Sequence, residues 1–161
     1  MLDGPAVVVA LETCGVTHAV WVPDSLLGTW EPALLQSNSI RLIRACREGE
    51  AIAIAGGLLL GGARPVVIIQ CTGLFEAGDA LRNLVHDLKL PLVLIVGVRS
   101  YLAYQGGKTS DNCPAFTGPI LDAWKIPQTL IDPNTHAAGD LIAAVRNLHR
   151  SAQAGAILIA E

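Results

Sequence analysis

The chain contains short, continuous apolar runs that are rich in β-branched residues and bounded by turn-forming residues. Runs of this kind, without an alternating polar face, are typical of strands buried on both sides. They therefore predict a sheet that is covered on both faces. The predicted strands are residues 18–22, 40–45, 66–70, 92–98 and 157–160.

Helical spacing of apolar residues separates these runs. The pattern is clearest in residues 77–88 and 141–152, where apolar side chains recur along one face of a 3.6-residue repeat. A first helix is expected to begin near Pro5, because proline is favoured in a first turn, and to end at Gly15. Residues 101–119 follow neither period and contain several glycines and prolines, so they predict a long loop.

The alternation of strands and helices predicts the fold class. Parallel strands need crossover connections, and helical crossovers cover the sheet. We therefore expect an α/β, doubly wound domain with a mainly parallel sheet and helices on both faces, formed by residues 1–161 as a single unit.

The composition argues against nucleic acid as a partner and for another protein subunit. With a net charge of -3 and a pI near 5.7, the chain lacks the basic surplus of a nucleic-acid binder. Its mean hydropathy is high, at +0.48, and only 16% of residues are charged. An apolar surface of this kind indicates that another subunit covers part of the domain.

Membrane insertion and export are not expected. The longest apolar stretch, residues 51–63, is shorter than the roughly 20 residues of a membrane span. The N-terminus has neither the basic region nor the cleavage site of a signal peptide, which predicts a cytoplasmic protein. The four cysteines are far apart and no histidine lies at ligand spacing, so no metal site is expected in this chain.

Candidate chemistry should follow the strands, because open parallel sheets bind ligands at the carboxyl ends of their strands. One possibility is a phosphate-binding loop, since Gly107-Lys108-Thr109 matches the end of the motif G-x-x-x-x-G-K-[ST]. The motif also requires a glycine five residues before Gly107, and Leu102 occupies that position. A nucleotide site of this type is therefore not favoured.

Two carboxylates, Glu48 and Glu50, come directly after a predicted strand and before an apolar, glycine-rich helix. Acidic residues in a first turn can simply stabilise the helix dipole. The glycines within that helix need a further explanation, because each costs about 1 kcal/mol relative to alanine. Either another part of the chain approaches the helix closely, or the helix ends near Gly56.

These residues resemble the pyrimidine-binding domain of thiamine-diphosphate-dependent enzymes. In that family a glutamate after the second strand is followed by a glycine about nine residues later, and Glu48 and Gly57 match that spacing. The resemblance extends to residues 22–26 and 65–74 and covers nearly the whole chain. Within the superfamily the pattern is similar to the alpha subunit of sulfopyruvate decarboxylase and to phosphonopyruvate decarboxylase.

Two departures leave the substrate open. Those decarboxylases tend to have Q-N-S-G where this chain has residues 70–73 as Q-C-T-G. They also tend to have H-R-G where this chain has V-R-S at residues 98–100. The resemblance therefore does not define the identity of the substrate.

The resemblance implies roles for individual residues. Glu48 would be the catalytic residue, exchanging a proton with the pyrimidine ring of the cofactor, and it is preferred to Glu50 because it follows the strand directly and matches the glycine spacing. Arg99 and Lys108 are candidates to bind a second anionic group of the substrate, but they could also be ordinary solvated loop charges. The implied cofactor-binding residues are Pro23, Glu48, Gly73 and Leu74, and the implied substrate-binding residues are Ser25, Thr72, Arg99, Gln105 and Lys108.

The resemblance also implies partners. The diphosphate-binding domain of these enzymes carries a G-D-G motif, whereas here Gly78-Asp79 and Gly139-Asp140 continue to other residues. We therefore expect thiamine diphosphate and Mg²⁺ to be shared with a separate diphosphate-binding (beta) subunit that binds the metal. The expected assembly is a hetero-oligomer with self-association, acting as a decarboxylase on a small 2-oxo acid.

Two other functions remain open at this point. The domain could be a noncatalytic assembly module, since this fold also pairs with itself in larger enzymes. It could also be a flavodoxin-like ligand-binding module, because fold alone does not determine function.

Overall fold

A computed structural model of the chain describes residues 2–25 and 27–161. Six parallel strands form one sheet, in the order β2-β1-β3-β4-β6-β5. The predicted α/β, doubly wound class is therefore confirmed, and the described sheet is entirely parallel. The strands are β1 His18–Trp21, β2 Arg41–Arg44, β3 Pro65–Gln70, β4 Val93–Val98, β5 Gln128–Ile131 and β6 Gly155–Ala160.

Helices cover both faces of this sheet. Leu26, which belongs to the segment 22–26 that carries the resemblance, lies outside the described residues. Short 3-10 and π turns, Leu27–Trp30 and Asn83–Asp87, supplement the α-helices. The α-helices are α1 Gly4–Thr13, α2 Glu31–Gln36, α3 Glu48–Leu60, α4 Cys71–Glu76, α5 Gly78–Arg82, α6 Tyr101–Gln105, α7 Cys113–Ala123 and α8 Ala138–Ser151.

The core consists of two layers, one on each face of the sheet. Within β3, Val66 and Ile68 face the layer that contains α1 and α8, whereas Val67 and Ile69 face the layer that contains α3, α4 and α7. Alternate residues of a strand point to opposite faces, so a strand buried on both sides must be apolar throughout. This explains why β3, β4 and β6 were recognisable as continuous apolar runs.

The first helix is close to its prediction. Pro5 lies in the first turn of α1, and the Asp3 carboxylate caps the helix by accepting a 2.9 Å hydrogen bond from the Ala6 N–H. The helix ends at Thr13, two residues before Gly15, whose φ of +72° is the left-handed conformation that glycine tolerates.

The glycine-rich helix does not end near Gly56. It continues as α3 to Leu60, and a Cβ at Gly56 would overlap the Leu84 side chain. The first of the two explanations offered by the sequence is therefore correct for Gly56: another segment approaches the helix closely.

Two parts of the sequence-based assignment are wrong. Residues 101–119 are not a long loop, because they contain α6 and the first part of α7. Pro114 lies in the first turn of α7, where a missing N–H costs little, so this proline begins a helix and does not indicate a loop. The edge strand β5 was missed, because only Ile131 is buried and the strand has no continuous apolar run.

No helix within residues 2–25 and 27–161 is both long enough and apolar enough to cross a membrane.

Candidate active site

A cleft of about 370 Å³ opens at the carboxyl edge of the sheet, where the strand order reverses. The chain passes from β1 to β2 on one side and returns to β3 on the other, so the segments that follow β1 and β3 diverge. Such a switch point is the usual ligand site of an open parallel sheet. The residues lining the cleft are Val22, Pro23, Asp24, Ser25, Glu48, Gln70, Thr72 and Arg99.

Glu48 is the first residue of α3, and its half-buried side chain lines the cleft. Its side chain packs directly against Gly73 of α4, where an added Cβ would overlap the carboxyl group. Within the described part of the chain, the Glu48 carboxylate makes no hydrogen bond. The carboxylate is therefore available to a molecule that enters the cleft.

The other acidic residues near this helix terminus have structural partners. Glu50 Oε2 accepts a hydrogen bond of 2.9 Å from the Cys46 N–H, and Glu76 Oε2 accepts one of 3.0 Å from the Gly49 N–H. Glu76 also pairs with Arg47. Capping therefore accounts for Glu50 and Glu76, but it does not account for Glu48.

Arg99 follows β4 and brings a positive charge to the cleft. Its Nε lies 2.7 Å from Asp111 Oδ2, and Asp111 also accepts hydrogen bonds from Ser100 and Cys113. The hydrogen bond from Arg99 is the main reason that the pKa of Asp111 lies well below its ordinary value. The segment between α6 and α7 thus holds the guanidinium in position.

The remaining predicted site residues divide into two groups. Pro23, Ser25 and Thr72 line the cleft with Glu48 and Arg99, and the Thr72 hydroxyl donates a 3.2 Å hydrogen bond to Gln70 Oε1. In the second group, Leu74 is fully buried in the core. Gln105 and Lys108 are exposed near the end of α6 and do not line the cleft.

Three polar residues of this edge were not among the predicted site residues. Asp24 and Gln70 line the cleft, and Asp24 Oδ1 accepts a 2.8 Å hydrogen bond from the Leu27 N–H. Glu161 follows β6, and its buried carboxylate oxygens have no hydrogen-bond partner among the described residues. All three could have been selected by the rule that sites follow parallel strands.

Glu161 has an unusual electrostatic environment. Burial is the main cause that raises its pKa from 4.5 to about 7, and the negative charge of Asp24 adds to the increase. Arg99 opposes the shift. The carboxyl group of Glu161 is packed against Gly97 of β4, where a Cβ would overlap it. The carboxyl edge therefore holds a carboxyl group that titrates near neutral pH.

Comparison with known proteins identifies the domain. Residues 4–116 match the family model described as thiamine pyrophosphate enzyme, N-terminal TPP binding domain. The chain is 31% identical over 124 residues to the sulfopyruvate decarboxylase subunit alpha of Methanococcus maripaludis, a match that covers 76% of this chain and 72% of the relative.

Two larger proteins also match. The phosphonopyruvate decarboxylase of Streptomyces viridochromogenes is 29% identical over 146 residues, which cover 91% of this chain and 37% of that protein. The crystal structure of benzoylformate decarboxylase from Polynucleobacter necessarius has the same fold, with a TM-score of 0.70 at 20% identity, over 98% of this chain and 29% of that one. This chain thus spans only about a third of either protein. From the family match, the chain belongs to the N-terminal TPP-binding domains of thiamine pyrophosphate enzymes.

Proposed function

We propose that this chain supplies the pyrimidine-binding half of the active site of a thiamine-diphosphate-dependent 2-oxo acid decarboxylase. The observation that carries the proposal is the Glu48 carboxylate, which lines the cleft at the switch point and has no hydrogen-bond partner within the described residues. The absence of a side chain at Gly73 leaves room for it there. Relatives named as decarboxylases support the proposed reaction.

The residues of the cleft fit one part of the cofactor. An aminopyrimidine ring has flat apolar faces and a polar edge, and the cleft offers Val22 and Pro23 beside Glu48, Gln70 and Thr72. When bound, thiamine diphosphate would supply an electron sink for the bond that breaks as carbon dioxide leaves. This chain would contribute orientation and proton transfer.

Glu48 is assigned the proton transfer. Its carboxyl group would hold a proton at Oε1 or Oε2 and share it with a ring nitrogen of the bound pyrimidine, which is general acid-base catalysis. Glu50 is less suitable, because its carboxylate is already bonded to the Cys46 N–H. The position of Glu48 in the first turn of α3 keeps its backbone well defined.

Arg99 is assigned to the substrate. A guanidinium group offers several N–H donors, so Arg99 can hold Asp111 and still donate to a substrate carboxylate, sulfonate or phosphonate. Ser25 and Thr72 would add hydroxyl groups on the walls of the cleft. Gln105 and Lys108 do not line the cleft, so they have no role in this proposal.

A partner subunit is the second part of the proposal. Within residues 2–25 and 27–161 no cluster of three or more His, Cys, Asp or Glu side chains could hold a metal ion. The name "subunit alpha" of one relative supports a separate diphosphate-binding subunit, which would bind Mg²⁺ and the diphosphate. Exposed apolar side chains would favour association in a hetero-oligomer, and they include Val9, Leu35, Leu60, Leu88 and Phe116.

The test is carbon dioxide release by the chain, by the diphosphate-binding partner, and by the two mixed with thiamine diphosphate and Mg²⁺. Sulfopyruvate, phosphonopyruvate and pyruvate would be compared as substrates. We expect release only from the mixture, with preference for a substrate that has a second anionic group. A stable mixed complex that releases no carbon dioxide from any of the three would favour the noncatalytic assembly role instead.

A further inference from the structure

A second and larger cavity lies at the amino edge of the sheet, at the opposite end of the strands from the cleft. Its volume is about 820 Å³, and it is bounded by the ends of α1 and α8 and by the segments that enter β3 and β4. Pro65 of β3 lines this cavity, whereas Gln70 of the same strand lines the cleft. At about 3.3 Å per strand residue, these two residues of β3 are about 16 Å apart.

Three arginines make this cavity positively charged. Arg64, Arg146 and Arg150 all line it, and no aspartate or glutamate of the described chain does. None of the three forms an ion pair with a carboxylate within residues 2–25 and 27–161. Because the chain as a whole has a net charge of -3, this concentration of positive charge is a local feature.

Helix capping explains only part of the cluster. Arg146 Nη2 lies 3.5 Å from the carbonyl oxygen of Thr13, and His149 hydrogen-bonds to the backbone of Cys14, so both contact the C-terminal end of α1. Positively charged and N–H-bearing side chains are favourable there. Burial is the main cause that lowers the pKa of His149, and the nearby charge of Arg64 lowers it further.

Neither Arg64 nor Arg150 contacts the end of α1 in this way, although Arg150 lies in the last turn of α8, where a positive charge is favourable. The guanidinium of Arg64 makes no hydrogen bond within the described chain, and it lies close to Gly15, where a Cβ would be 3.2 Å from Nη1. Within the described residues, the guanidinium of Arg150 has a single polar contact, of 3.5 Å to Asn147 Oδ1. Two guanidinium groups thus face an open cavity with most of their donors unused.

We propose that this cavity is a binding site for a small, multiply charged anion that carries phosphate groups. Guanidinium groups bind phosphate oxygens in a bidentate manner, and an ionised phosphate makes charge-assisted hydrogen bonds to them. The site is separate from the proposed cofactor cleft. It does not depend on the proposed function, because no residue of the cleft contributes to it.

Calorimetric titration of the full chain with pyrophosphate at low ionic strength tests the proposal. We expect saturable binding with one site per chain. The variant Arg64→Gln/Arg150→Gln should weaken this binding at least tenfold, because it removes two of the three guanidinium groups that line the cavity. Both residues are exposed, so circular dichroism and the melting temperature should show an intact fold.

The matched control is Arg41→Gln/Lys125→Gln, which removes two exposed positive charges that do not line the cavity. It should change the affinity by no more than about twofold, since screening in salt limits the influence of distant charges. An equal loss in both double variants would overturn the proposal, as would a wild-type chain without saturable binding or an unchanged affinity in Arg64→Gln/Arg150→Gln.

A second measurement locates the bound anion. Backbone amide shifts on adding pyrophosphate should be largest in residues 62–65 and 143–152. Shifts confined to residues 22–25 and 70–73 would assign the anion to the cleft beside Arg99 and would contradict the proposal.

Discussion

The carboxyl edge of the sheet carries acidic side chains, whereas the amino edge carries arginines. Asp24, Glu48 and Glu161 lie at the first edge, where helices begin, and Arg64, Arg146 and Arg150 lie at the second, where helices end. Helix dipoles favour this distribution, because the N-terminal ends are partially positive and the C-terminal ends partially negative. Charge alone therefore does not distinguish a functional group from a structural one.

Hydrogen bonding does distinguish them. At the carboxyl edge Glu50 accepts a hydrogen bond from the Cys46 N–H, while Glu48 in the same helical turn has no partner within the described chain. At the amino edge Arg146 contacts the end of α1, while the guanidinium of Arg64 has no partner there. At each edge the group with no structural role is the candidate for binding a ligand.

The largest expected effect on kcat comes from substituting Glu48, and substitution of Glu50 is the comparison. In the assembled enzyme, Glu48→Gln should lower kcat for carbon dioxide release by about 10²-fold or more, since general acid-base catalysis contributes roughly 10² to 10⁴. Glu50→Gln should change kcat by less than about threefold, because Glu50 serves the helix terminus. Equal losses in steady-state assays of the two variants would remove the distinction between them.

Gly73→Ala should have the next largest effect. The new methyl group would overlap the Glu48 side chain, which can move away because it is flexible. Misplacing a reacting group by about 1 Å can cost up to about 10²-fold in rate, so we expect kcat to fall by about 10- to 100-fold with the melting temperature nearly unchanged. Gly139→Ala in α8, where a Cβ meets nothing within 4 Å, is the control and should leave kcat unchanged. Full activity of Gly73→Ala would argue against the position assigned to Glu48.

Arg99→Gln should raise KM about tenfold for a 2-oxo acid with a second anionic group. It should leave kcat nearly unchanged. The loss of one charge-assisted contact, worth about 1.4 kcal/mol, corresponds to that factor. Pyruvate, which lacks the second group, should show a smaller increase. Arg82→Gln removes an exposed arginine that pairs with Asp79 and Asp87 outside the cleft, and it serves as the control. The same KM increase for pyruvate would show that Arg99 binds the carboxylate that all 2-oxo acids share, and not the second anionic group.

The smallest effect concerns stability and pH at Glu161. Because its folded-state pKa is raised from 4.5 to about 7, the folded chain binds the proton more tightly than the unfolded chain. The free energy of unfolding should therefore decrease as the pH rises from about 4.5 to about 7, by roughly 1 to 3 kcal/mol from this group. Urea denaturation should show that Glu161→Gln gains stability relative to wild type across this window. A constant difference between the two proteins from pH 4.5 to 8 would contradict the assigned pKa.

Much of the fold could be predicted from the sequence, because buried parallel strands such as β3 and β4 are apolar along their whole length. The edge strand β5 could not, since its two central residues are exposed and it has no continuous apolar run. Helices α6 and α7 were obscured by glycines and prolines, some of which lie at helix ends or in a first turn, while Gly118 and Pro119 lie inside α7.

The site was predictable to a similar extent. The rule that ligands bind after parallel strands indicated Pro23, Thr72 and Arg99, which the fold brings together at the cleft. Lys108 was predicted as a positive charge in the segment after β4, but it follows α6 and does not line the cleft. The arginine cavity was not predictable, since its residues are far apart in the sequence and meet only when α1 and α8 pack together.

The most direct test of the central claim is the exchange of the C2 proton of thiamine diphosphate for deuterium in the assembled pair, without substrate. This rate reports cofactor activation independently of which 2-oxo acid is used. The account predicts fast exchange in wild type and Glu50→Gln, and exchange slowed by about 10²-fold or more in Glu48→Gln. Exchange at the wild-type rate in Glu48→Gln, with the cofactor bound, would contradict the assignment of Glu48.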